Sequence, residues 1–149
     1  MKRVFRSLTA MVLLIGTSSH TAVNQVQAAT ASPVRLSFTK SATETPMVWK
    51  GAVTGSVTGE LETRLLSLRI SGVVWHVEFD WIITGANPSE SFTARLNGTL
   101  NTKTGKVVMN GLVTEGNLEG AQVHEQGQLT DAATSTFEGS IRIAPQTAD

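Results

Sequence analysis

The chain has 149 residues, 40% hydrophobic but only 5% aromatic, with 12 basic and 12 acidic side chains and no cysteine. The absence of thiols excludes disulfides, thiol catalysis, zinc–thiolate sites and a lipid-modified cysteine at a leader junction. Three basic residues, Lys2, Arg3 and Arg6, precede the apolar stretch near the N-terminus, leaving nine basic against twelve acidic residues beyond it, a net charge of −3; with no clustered Lys and Arg stripe, neither nucleic acid nor an anionic membrane is an expected partner.

In chain order, residues 1–28 read as a secretory signal peptide. The three basic residues form its positive head, Leu8 to Ile15 its short apolar stretch, and Val26 and Ala28 satisfy the small-residue cleavage rule. The apolar run falls well short of the roughly 20 residues that span a bilayer. The expected product is secreted or periplasmic, with no membrane segment after cleavage. The remainder suffices for one domain with a real core and is too short for two. It divides into a 29–46 segment carrying the first strand, a barrel domain over 47–144 and a flexible C-terminus at 145–149.

From Ser32 onward apolar residues recur at every second position, and no stretch sustains a helical i, i+3, i+4 pattern. Strands are predicted over 34–40, 47–57, 60–71, 73–84, 91–101, 106–114, 121–130 and 136–143. The clearest runs from Val73 through Trp75, Val77, Phe79 and Trp81 to Ile83, with His76, Glu78 and Asp80 on the intervening positions. Within 60–71 the apolar parity is odd up to Leu65 and even at Leu66, Leu68 and Ile70, which predicts a β-bulge near Leu65-Leu66. Short connections such as Ser71-Gly72 and Lys103-Thr104-Gly105 favour neighbouring antiparallel strands. The fold class is therefore all-β, an antiparallel meander of about eight strands.

Seven glycines, Gly51, Gly55, Gly59, Gly98, Gly111, Gly127 and Gly139, fall within the predicted strands or, for Gly59, at the start of one, on the apolar parity. Gly55 and Gly59 serve equally well as hairpin residues. The other five favour a small, strongly coiled barrel over a flat sandwich, because glycine on an inward face lets strands bend and close.

The segments Gly59-Glu60-Leu61, Phe92 to Gly98, Thr104 to Val108, Gly111 to Gly116 and Leu118 to Ala121 resemble the glycine-punctuated strands of small exported bacterial β-barrel proteins, a family of uncharacterised function similar in architecture to the allene oxide cyclase and dirigent barrels. The resemblance spans roughly 48–143. It implies an eight-stranded barrel with an apolar lumen, able to form homo-oligomers and to bind or reshape a hydrophobic small molecule; it transfers no catalytic residue.

Three groups of side chains are candidates for chemistry. Glu125 occupies the interior parity of Ala121, Val123, Glu125, Gly127 and Leu129, where desolvation would raise its pKa and suit it to act as a general acid or to anchor a ligand, with no obvious basic partner of matching parity. The bland alternative turns it outward on a bulge or leaves it at a wet rim. His76, Glu78 and Asp80 share a face at i, i+2 and i+4, more simply a solvated face than a metal site, so no metal and no cofactor is expected. Trp49, Trp75, Phe79, Trp81, Phe92 and Phe137 share the apolar parity and either line a ligand cavity or fill a core. A further alternative faces Trp75 and Trp81 outward and makes the His76 face a polar lumen.

Three functional readings follow. The first is an exported barrel that binds a small apolar or amphipathic molecule in its lumen. The second is an isomerase- or cyclase-type enzyme using Glu125 with His124, or with a polar lumen residue, as acid and base. The third is an oligomeric structural or interaction module that associates through a sheet edge or an apolar outer face.

Overall fold

A computed structural model describes residues 32–145. The predicted leader and residues 146–149 lie outside the described residues. The described residues form eight strands: β1 (Val34–Ala42), β2 (Val48–Gly55), β3 (Gly59–Ser71), β4 (Val74–Gly85), β5 (Phe92–Asn101), β6 (Lys106–Gly116), β7 (Gln122–Asp131) and β8 (Thr136–Ala144). A single 3₁₀ turn, Pro88–Glu90, interrupts the β4–β5 connection. Each strand pairs antiparallel with the next, and β1 pairs with β8, so the meander closes into a barrel. The first strand, which the sequence set apart in the 29–46 segment, is thus the strand that closes the ring.

The alternation in the sequence becomes inside and outside. Val77, Phe79, Trp81 and Ile83 of β4 are buried in one core with Leu36, Phe38, Val53, Leu61, Leu96 and Ile141. The tryptophan face of β4 therefore points into the lumen, and the His76 face points out. The register of β3 against β4 shifts between Leu65 and Ser67, at the predicted bulge, with Leu66 as the extra residue.

Closure depends on strands approaching closely where they coil. Gly139 of β8 sits opposite Gly127 of β7, and a Cβ at Gly139 would collide with the carbonyl oxygen of Gln126. At Gly127 a Cβ would stand 2.8 Å from Glu125 Oε1 and 3.3 Å from Phe38 Cζ, so the missing side chain there makes room for two others. Gly55 and Gly59 flank the short β2–β3 loop, Gly55 with φ +119°, and act as hairpin residues.

The two ends of the barrel differ. The β2–β3, β4–β5 and β6–β7 connections, together with Val34 and Ala144, lie at one end, which is packed with Ile83, Phe92, Val113 and Ile143. The β1–β2, β3–β4, β5–β6 and β7–β8 connections lie at the other. There the lumen is incompletely filled.

Candidate functional site

A cavity of about 80 Å³ opens toward the second end of the barrel, lined by Trp49, Leu65, Leu68, Trp75, Val77, Phe79, Leu100, Val107, Met109 and Phe137, with two charged groups, Lys40 and Glu125. Four of the six aromatics singled out in the sequence, Trp49, Trp75, Phe79 and Phe137, belong to this wall. The other two fill the core: Trp81 is fully buried and packs edge-on against Phe38 at 5.0 Å, and Phe92 plugs the closed end. Cavity and filled core are both present, divided along the barrel axis.

Glu125 faces inward, as its parity predicts, and is 1% exposed. Burial pushes its carboxyl up to about 7, against a smaller opposing pull from Lys40. Its Oε2 atom is buried without a hydrogen-bond partner. Such an atom is costly in a folded interior, where nearly all polar groups are satisfied.

The expectation that Glu125 has no basic companion is corrected by Lys40. This residue continues the inward positions Leu36 and Phe38 of β1 and is only 5% exposed. Its ammonium donates to Thr63 Oγ1 at 3.4 Å and sits 4.0 Å from the centre of the Trp81 ring and 5.0 Å from that of Phe79. Aromatic faces supply part of the solvation the charge loses. Burial nevertheless lowers the Lys40 pKa to about 8, with the nearby carboxylate pulling the other way. Among the described residues no direct ion pair joins Lys40 to Glu125. The signal was in the sequence, as a lysine on the apolar parity of a short first strand.

The proposed companion His124 is placed elsewhere. Adjacent residues of a strand point to opposite faces, and His124 lies on the outer surface, its Nδ1 donating to Asn110 Oδ1 at 2.6 Å and its Nε2 accepting from Gln126 Nε2 at 3.0 Å. An acid–base pair of Glu125 with His124 is therefore not assembled; the group that shares the lumen with Glu125 is Lys40. On the outer face of β4, Asp80 is held by Arg95 through two hydrogen bonds of 2.9 and 3.1 Å. That ion pair gives Asp80 a structural partner across the β4–β5 ladder, where Asp80 and Arg95 stand in register. No group of three or more His, Cys, Asp or Glu side chains converges among the described residues.

The open end carries a further feature. Among the described residues, β3 beyond Arg64 has run past its partner β2 and pairs only with β4, apart from one hydrogen bond from Leu65 N to Met47 O. Leu66, Leu68 and Ile70 on this projecting hairpin are exposed, as are Met47 and Val73 beside it. The mouth is thus framed by apolar side chains above an apolar wall that holds two buried charges. No protein-family model, curated protein or solved structure matches this chain.

Proposed function

We propose that the protein binds a small amphipathic molecule in the open half of its lumen. The observation that carries this reading is the Lys40–Glu125 pair at the bottom of an otherwise apolar cavity. Stability alone gives no reason to keep it. Buried charges incur a desolvation cost that their attraction rarely exceeds, and apolar replacements of similar volume are often neutral or stabilising. Here the pair does not even close a direct contact, and one carboxylate oxygen is left without a partner. Perturbed titratable groups converging in a concave apolar site are the usual mark of a binding site. The sequence resemblance to small exported barrels points the same way.

The test is a tryptophan-emission titration with a series of medium-chain amphiphiles, whose narrow chains suit a cavity of about 80 Å³. Saturable binding at one equivalent per chain is the expected result; an emission change that never saturates, or none at all, would overturn the reading. Should the bound molecule be chemically changed, with turnover lost in both Glu125→Gln and Lys40→Met, the same pair is an acid–base site and the protein an enzyme.

A second reading rests on the free edge of β3. The run Leu66-Ser67-Leu68-Arg69-Ile70 is nearly self-complementary. Antiparallel pairing of two copies about Leu68 sets Leu66 against Ile70 and Ser67 against Arg69, which buries apolar side chains together and keeps the two arginines apart. Self-association through this edge is compatible with a ligand-binding lumen.

A further inference from the structure

The polar groups of the cavity restrict the head group of the molecule it takes. This inference rests on the lumen-binding reading and sharpens it. Three of them matter: the Lys40 ammonium, which has one long hydrogen bond to Thr63 Oγ1; the Trp49 indole N–H, buried without a partner; and Glu125 Oε2, buried without a partner. The first two donate and the third accepts when ionised. A head that only accepts leaves Glu125 unsatisfied. A head that only donates leaves the Trp49 N–H unsatisfied and adds no acceptor to Lys40.

Charge narrows the choice further. Lys40 and Glu125 together are neutral when both are ionised, so a carboxylate or an ammonium entering the lumen leaves a net charge in a largely apolar enclosure unless Glu125 takes up a proton or Lys40 gives one up, whereas an uncharged head requires neither. A single hydroxyl has the required pattern, since its proton can go to Glu125 while its oxygen accepts from Lys40. Lys40 and Glu125 form no direct ion pair, so neither group already satisfies the other.

Volume sets how much of the molecule is enclosed. An apolar cavity of about 150 Å³ is the size that holds benzene, and this one is about 80 Å³. Only the head and the first few carbons go inside. The remaining apolar part must lie across the mouth, against Leu68, Trp75, Leu100 and Phe137 and the exposed Ile70 and Val73 beyond them.

We infer that the ligand is an uncharged, hydroxyl-headed amphipath, an alcohol or phenol with an apolar tail, whose hydroxyl bridges Lys40 and Glu125 while its tail covers the apolar rim. Once bound it would supply the donor that Glu125 Oε2 lacks.

The experiment is a tryptophan-emission titration of the intact protein, at a pH of about 7.5 that lies between the Glu125 and Lys40 pKa values, with four molecules that share one tail: decanol, decanoic acid, decylamine and decane. Decanol is expected to bind about tenfold or more tightly than each of the other three, because only it satisfies the pair without adding charge. In a Lys40→Met, Glu125→Gln double variant, which is neutral by construction, the preference of decanol over decane should collapse. Tightest binding by the acid or the amine, or equal binding by decane, would overturn the head-group assignment while leaving lumen binding intact. If none of the four binds, the lumen-binding reading falls and this inference falls with it.

Discussion

At the residue scale, Lys40 and Glu125 should write a signature on the stability of the protein. Glu125 has its pKa raised by folding, so its contribution is fully present below the usual carboxyl range and is lost as pH rises through about 7. Lys40 has its pKa lowered, so its contribution is present above the usual lysine range and is lost as pH falls through about 8. Together they place a trough between about pH 7 and 8, with stability rising on either side until other groups titrate. Urea unfolding across this range should find that trough, with Glu125→Gln flattening the acidic limb and Lys40→Met the alkaline one. A monotonic profile that neither substitution alters would mean the two groups are not desolvated. The carboxylate was legible in the sequence because it stands between Val123 and Gly127 in a long, regular strand. The lysine was equally visible on the parity of Leu36 and Phe38, but its meaning depends on which strands close the ring. Closure of β1 onto β8 brings it into the same lumen as Glu125, and that is a long-range fact no local pattern carries.

At the element scale, β4 and β3 show how much periodicity alone determines. The alternation of β4 was enough to define its strand, and the parity change at Leu65-Leu66 was enough to locate a bulge that the β3–β4 register bears out. What parity could not give was depth along the barrel. Trp49, Trp75, Trp81 and Phe92 all point inward, yet two line a cavity and two fill the core, because the ends of the barrel are packed differently. Nor could parity reveal that β3 outruns β2, which depends on where a neighbouring strand stops. The exposed edge this creates has a direct consequence for association. If two copies pair through Leu66–Ile70, sedimentation velocity should find a dimer that Leu68→Lys dissociates, since the substitution places like charges opposite each other at the centre of the pairing. A monomer at all concentrations, or a dimer indifferent to the lysine, would remove the β3 edge as the contact.

At the scale of the whole molecule, the fold is a division of labour between two ends of one lumen. The end holding Ile83, Phe92, Val113 and Ile143 is packed as a core and holds the barrel together without any disulfide. The opposite end carries the features that packing does not require: an opening, an aromatic wall, two buried charges and an apolar rim. The three tryptophans report on the site from two sides, because Trp49 and Trp75 line the cavity while Trp81 lies in the core beneath the Lys40 ammonium. The measurement that tests the account most directly is therefore an NMR titration of the three indole N–H signals with decanol. Shifts of the Trp49 and Trp75 indoles that saturate at one equivalent are the predicted result, with Trp81, whose ring lies 4.0 Å from the Lys40 ammonium, following the same isotherm if it moves. Three indoles that stay fixed, or that drift together without saturation, would contradict a binding site in the lumen.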